Sequence, residues 1–155
     1  MENFTFNTIF SDSEIPYELL LLADETIEAI NQYIFKCDIY LLHNGTENIA
    51  VMALCKNSET ESELKNIAVI ESYRSKGIGS ILINKAKEIA RKNQYTILTV
   101  GTSDTGFQQI RFYEKNGFVR TGIRKDFFIE NYPDPIYENG LRMRDMVLLT
   151  HHLTE

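Results

Sequence analysis

Basic charge is in short supply. Sixteen Lys and Arg stand against 22 Asp and Glu, a formal net charge of −6. Binding to duplex nucleic acid rests on neutralising phosphates with Lys and Arg, so this balance argues against such a partner. Cysteine is nearly absent. Cys37 and Cys55 lie in apolar surroundings (FKCDIY and MALCKN) and in no CxxC pattern. They are expected as buried thiols of a reducing compartment. No run approaches the roughly 18 apolar residues that span a bilayer. The start, MENFTFNTIF, has neither the basic end nor the apolar stretch of a signal peptide. The expectation is a cytoplasmic protein without membrane contact. His43, His151 and His152 are scattered, and no pair of histidines with carboxylates has metal-ligand spacing on one element, so no metal is expected. Internal repeats, linkers and low-complexity tails are absent as well.

What is present suits a single α/β domain over 1–155: the length allows a sizeable core, and 43% of residues are hydrophobic. Residues 16–35 read as one or two helices, with Asp24 a candidate cap and Ile27, Ile30 and Ile34 on one face. A hairpin follows, with strands at about 38–43 and 48–56; Asn44-Gly45 suggests a type I′ turn with positive φ at both positions. A strand at 63–70, a helix at 77–93, a strand ending near Gly101 and a second helix, TGFQQIRFYEKN, come next. Gly117 sits where a left-handed residue ends that helix. FVRTGIRKDFFIE and MRDMVLLTHHL read as two long strands around a loop rich in turn formers, NYPDPIYENG.

Glycine is scarce, with eight in all, yet two stand one residue apart in YRSKGIGS, residues 73–80, at the first strand-to-helix junction. A helix start carries unpaired N–H groups and partial positive charge, and suits an anion. Glycine lets a backbone approach such an anion closely, although a tight turn alone also explains it. A Walker A loop is excluded, because Gly79 is followed by Ser-Ile; a dinucleotide fingerprint lacks its third glycine in GIGSIL. The remaining pattern is [RQ]xxGxG, here Arg74-Ser75-Lys76-Gly77-Ile78-Gly79.

The segment NIAVIESYRSKGIGSILINKAKEIARK resembles the acyl-CoA-binding core of the GNAT superfamily of N-acyltransferases: an apolar strand, a short loop, [RQ]xxGxG and a long helix. Roughly 35 residues downstream, IRFYEKNGFVRTG resembles that family's helix-to-strand signature, an aromatic or Leu followed by Tyr-Glu-Lys-x-Gly-Phe. DFFIENYPDPIYENG is similar to a tail in one group of bacterial members. The element order agrees over most of the chain. The resemblance implies a mixed, mostly antiparallel central sheet with a splayed parallel strand pair, flanked by helices. It also implies an acetyl-CoA-dependent N-acetyltransferase that moves an acetyl group to a primary amine.

Residue by residue, the resemblance implies that backbone N–H groups of Ser75, Lys76, Gly77, Ile78 and Gly79, at a helix start continued by Ser80, surround the pyrophosphate of acetyl-CoA. Arg74 and Lys76 either add charge there or stand as a solvated basic loop. Ile67, Ala68 and Val69 would pair with the pantetheine arm much as a sheet edge takes a peptide. Thr102 to Gly106 would line the other side, although GTSDTG only loosely matches the relatives, many of which carry an Asn or Ser near there. Tyr113 is the implied proton donor to the leaving thiolate; the alternative is an aromatic packed beside Phe112 and Phe118. Glu63, six residues before Val69, matches a catalytic Glu of some relatives. With strict alternation it would share a face with Lys65, Ile67 and Val69 unless a bulge intervenes. It equally ends a solvated acidic loop, SETESE, and many relatives deprotonate through water instead. The acceptor site would be built from the N-terminal helices and the loop before the last strand, where Tyr132, Asp134, Tyr137 and Glu138 either surround a cationic amine or decorate a hairpin tip. The acceptor stays open between a small-molecule amine, a protein N-terminus and a lysine. A non-catalytic acyl-CoA-binding regulatory module also stays open, as does a homodimer.

Overall fold

Seven consecutive residues, Ile49–Cys55, are all buried, so the strand they form is covered on both faces. That strand is third in a computed structural model describing residues 3–153. In chain order the elements are β1 (Thr5–Ile9), α1 (Tyr17–Leu20), α2 (Ile27–Asn31), β2 (Cys37–His43), β3 (Asn48–Lys56), β4 (Glu61–Val69), α3 (Ile78–Lys92) and β5 (Ile97–Ser103). Then come α4 (Phe107–Lys115), β6 (Val119–Arg124), α5 (Phe127–Glu130), β7 (Tyr137–Glu138), β8 (Leu141–Arg142) and β9 (Met146–His152).

Seven strands form one sheet in the order β1-β2-β3-β4-β5-β9-β6. Every neighbour pair is antiparallel except β4 and β5, which are joined by the α3 crossover that a parallel connection needs. One face carries α3 and α4. Ile78, Leu82, Ile83, Ala86 and Ala90 form the buried stripe of α3, and they pack on Leu64, Leu98, Val100 and Leu149. The other face carries α1 and α2, whose Leu20 and Ile30 meet Leu41, Val51, Ala53 and Ala68. Among the described residues no helix is long and apolar enough to cross a membrane.

Several local expectations are corrected. The N-terminal segment contributes an edge strand, β1, paired with β2, which its sequence did not announce. Helix α2 is capped by Thr26, whose Oγ1 accepts from the Ala29 N–H at 3.0 Å, and not by Asp24. Ile30 and Ile34 are buried, but Ile27, the first residue of α2, is 45% exposed. At the first hairpin only Gly45 has positive φ (98°). Asn44 Oδ1 instead accepts from Thr46 N–H (2.9 Å) and Glu47 N–H (2.8 Å), closing a four-residue loop. The two-residue loop with positive φ at both positions occurs at Asn139-Gly140, between β7 and β8. The expected strand over FVRTGIRKDFFIE stops at Arg124. Asp126 turns left-handed (φ 55°) with its N–H on Asp145 Oδ1 at 2.8 Å, and Phe127–Glu130 become one helical turn.

The expected free thiols are also corrected. The hairpin register sets Cys37 directly opposite Cys55, with Cα atoms 4.2 Å apart, and the two are joined as a disulfide.

Leu82 is fully buried at the centre of the α3 stripe. Leu82→Ala should therefore destabilise the fold by about 2–5 kcal/mol, read as a lowered urea midpoint with little change in slope.

Candidate active site

β4 and β5 pair only from Glu61↔Ile97 to Leu64↔Val100, although β4 continues to Val69 and β5 to Ser103. A register shift between β3 and β4 coincides with the parting: Ala53 faces Asn66 while Leu54 faces Leu64, which leaves Lys65 as the extra residue of a bulge. Past that point β4 has no strand beside it on the β5 side. A cleft of about 880 Å³ opens there, lined by Lys65–Val69 of β4 and Gly101–Ser103 of β5. Its walls reach both faces of the sheet, with Tyr113 of α4 at one side and Asp24 and Tyr33 at the other.

The junction before α3 contains two left-handed residues in three, Ser75 (φ 62°) and Gly77 (φ 81°). Gly77 precedes the helix without a side-chain cap, so the first-turn N–H groups of α3 remain available to an anion. A Cβ on Gly77 would meet nothing within 4 Å; its φ alone explains the glycine. Gly79 has a different reason. A Cβ there would lie 2.9 Å from Cζ of Phe112, so α4 approaches α3 only because Gly79 has no side chain. The loop before α3 touches the cleft lining through Arg74, whose Nε donates to the Val69 carbonyl at 2.9 Å; Ser75–Ser80 lie outside that lining. Lys76 Nζ sits 5.3 Å from the centre of the Tyr73 ring. Thr102 lines the cleft. Gly106 precedes α4, and a Cβ there would crowd Gln109 Oε1 (3.1 Å) and Thr102 Oγ1 (3.2 Å).

Tyr113 is buried on α4 between Phe112 and Phe118, at ring-centre distances of 5.3 and 5.8 Å. Burial pushes its phenol up to about 12. No described residue hydrogen-bonds the hydroxyl of this cleft-lining tyrosine.

Glu63 is not a solvated loop residue: it is only 2% exposed. Oε1 accepts from Asn57 Nδ2 at 2.8 Å and Arg124 Nη2 at 3.3 Å, and Lys65 Nζ stands at 3.5 Å. The bulge breaks the strict alternation. Leu64, Ile67 and Val69 turn toward the α3–α4 core, whereas Glu63 points to the opposite face with Asn66 and Ala68.

The model of the "Acetyltransferase (GNAT) family" matches residues 6–118. The chain belongs to the GNAT acetyltransferase family. It is 38% identical over 133 residues, 86% of each chain, to "Uncharacterized N-acetyltransferase YvbK" of Bacillus subtilis. A GNAT family acetyltransferase from Elizabethkingia anophelis with acetyl-CoA bound superposes with a TM-score of 0.93 at 40% identity, over 97% of this chain and 99% of that one. A Bacillus subtilis acetyltransferase in complex with CoA gives 0.87 at 33% identity, over 99% and 100%. The IAA acetyltransferase from Bacillus cereus gives 0.91 at 34% identity, over 97% and 100%. The protein is thus an acetyl-CoA-dependent acyltransferase of this fold.

The far wall of the cleft joins the expected Tyr132 to Asp24, Tyr33 and Asn66, which the sequence had not named as site residues. Asp24 accepts hydrogen bonds from the hydroxyls of Tyr33 (3.0 Å) and Tyr132 (2.6 Å), and Asn66 links to Tyr33 at 3.1 Å. Of the candidate acceptor residues, Tyr132, Tyr137 and Glu138 line the cleft and Asp134 does not. No local pattern joins Asp24 to Tyr132, which are 108 residues apart.

Because Phe112 fills the space over Gly79, Gly79→Val should cost about 1–3 kcal/mol through overpacking. Phe112→Leu in the same chain should recover much of that loss. The non-additivity is measured by a urea double-mutant cycle, and purely additive losses would refute the contact.

Proposed function

We propose that this acetyltransferase moves an acetyl group from acetyl-CoA to a primary amine by direct attack of the amine on the thioester carbonyl. The observation that supports this most is the parted β4–β5 pair, whose cleft joins the anion loop side to a separate polar wall and holds an unpartnered tyrosine hydroxyl. In this reading the N–H groups from Ser75 to Gly79 hold the pyrophosphate, helped by the start of α3 and its third residue, Ser80. The edge at Ile67, Ala68 and Val69 pairs with the amide-bearing arm. Thr102 and the turn at Gly106 bound its other side.

In the transfer a C–N bond forms, the C–S bond breaks, sulfur keeps the bonding electrons and the amine gives up a proton. Tyr113 faces the leaving sulfur. Burial raises the Tyr113 phenol and so makes it a poorer proton source than an ordinary tyrosine. Tyr113 therefore acts first as a hydrogen-bond donor to the charge developing on sulfur. Glu63 Oε1 is engaged by Asn57, Arg124 and Lys65, while no described residue engages Oε2. That oxygen is assigned the amine proton, taken through water. The competing role is a brace that holds Arg124 and Lys65.

The reading is tested by mass detection of acetylated products across a panel of small amines and peptides. Turnover on peptides alone would favour a protein acceptor. No turnover beside intact CoA binding would favour a regulatory module. CoA at 100 times its Kd should add about 2.7 kcal/mol to stability, and no thermal shift at millimolar CoA would remove the cosubstrate assignment.

Tyr113→Phe should lower kcat by about 10²–10³-fold and leave the CoA-induced thermal shift unchanged. The Tyr113 pKa is raised, so the protein retains this proton through pH 10, and loss of it begins only toward pH 12. Any fall in kcat/KM below pH 10 should therefore persist in Tyr113→Phe. Glu63→Gln should lower kcat/KM by about 10²-fold if Oε2 takes the proton. Unchanged kcat/KM with a lowered Tm would leave only the brace.

A further inference from the structure

Among the described residues, one lysine lines the cleft: Lys65, the extra residue of the β4 bulge. It directly follows Leu64, the last position of β4 paired with β5, so it stands at the apex where the two strands part. Its side chain is 27% exposed, and Nζ lies 3.5 Å from Glu63 Oε1, on the carboxylate it pairs with. Arg124 Nη2 reaches the same oxygen at 3.3 Å, so Lys65 is not the sole charge partner of Glu63. Lysines outside the lining have other partners: Lys56 pairs with Glu59 at 2.8 Å and Lys85 with Glu88 at 3.0 Å. The open edge of β4 has a direction. Its far end, Val69, leads to the loop and the start of α3, where the pyrophosphate is held in the acetyl-transfer reading. A pantetheine arm laid along Val69, Ala68 and Ile67 therefore runs toward Lys65, and its thioester arrives at the apex. The bulge brings a primary amine to the point where the acetyl group is delivered. An amine held beside a thioester reacts without the entropy cost of bringing an acceptor in from solution.

We propose that Lys65 is a self-acetylation site, whose Nζ takes the acetyl group from bound acetyl-CoA when no other amine occupies the cleft. The proposal rests on the acetyl-transfer reading of the cleft. A C–N bond forms between Lys65 Nζ and the acetyl carbonyl carbon, the C–S bond breaks, and sulfur keeps the bonding electrons. The lysine begins as an ammonium and ends as an amide, so it gives up two protons. One ends on the CoA sulfur, which Tyr113 faces. The other passes to Glu63 and on to water. The amide that remains is neutral, so Glu63 keeps Arg124 but loses the Lys65 charge.

The test incubates the full chain with acetyl-CoA in an amine-free buffer and follows its intact mass and its proteolytic peptides in time. The expected result is one acetyl group per chain, located on Lys65 and formed at least tenfold faster than on the exposed Lys56. The rate should not change with protein concentration, because the transfer stays within one molecule. Lys65→Arg keeps a charge beside Glu63 and should lose the label while still showing the CoA thermal shift. Tyr113→Phe should slow the labelling at least tenfold, which separates enzymatic transfer from chemical acetylation by the thioester. If Lys65→Arg does not fold, peptide mapping of the unchanged chain and the Tyr113→Phe rate decide. An unmodified Lys65 in a chain that shows the CoA thermal shift would overturn the site. So would labelling spread evenly over exposed lysines, labelling unmoved by Tyr113→Phe, or a rate that grows with protein concentration. No CoA thermal shift would instead overturn the acetyl-transfer reading beneath it.

Discussion

Four residue pairs hold β4 to β5, and past Leu64↔Val100 the two strands separate. The rest of the site depends on that separation. A sheet interior normally satisfies every N–H and C=O by pairing, so an opening in mid-sheet creates a row of groups that want a partner. The bulge at Lys65 supplies the opening locally, because one extra residue on β4 shifts its register against β3. The same bulge sends Glu63 to one face and Ile67 to the other. It places Asn66 at the mouth of the opening, on the side of α1 and α2.

The two sequence motifs are coupled by one contact. Phe112 belongs to the downstream signature and Gly79 to the anion loop, and the ring occupies the space that a Cβ at Gly79 would take. Phe112 also meets Tyr113, which meets Phe118, in two edge-on ring pairs. The start of α3 therefore sets how closely α4 approaches, and through it where the Tyr113 hydroxyl lies. Gly79 therefore has a packing reason of its own, the close approach of Phe112, besides the backbone N–H it offers at the start of α3.

The opposite wall is built by hydrogen bonds across long stretches of chain. Tyr132 reaches Asp24, and Asn66 reaches the Leu20 carbonyl. The small β7–β8 hairpin is tied to the turn after β5. Thr105 Oγ1 donates to Glu138 at 3.0 Å, and Asn139 Nδ2 donates to the Thr105 carbonyl at 2.9 Å. The segment rich in Pro, Asp and Asn is thus both a hairpin tip and part of the cleft lining, since turn chemistry and side-chain chemistry use different atoms of the same residues.

Features fixed by neighbouring residues were legible in the sequence. The stripe of α3, the left-handed Gly117 and the hairpin around Asn44-Gly45 follow from periodicity and backbone sterics within a few residues. The motif pair also identified the family, because its residues answer to local backbone needs. Glu63 looked solvated because its acidic neighbours in sequence are; its burial comes from Asn57 and from Arg124, the latter 61 residues away. Cys37 and Cys55 looked like separate thiols until the hairpin register set them opposite each other. Asp24 looked like a cap until Thr26 took that role and two tyrosines took its oxygens. The sequence by itself determined the elements from β2 to α4, the two glycines of the strand-to-helix junction and the family. Only the tertiary structure decided which polar atoms remain without partners, because that depends on contacts between residues with no local relation in the chain.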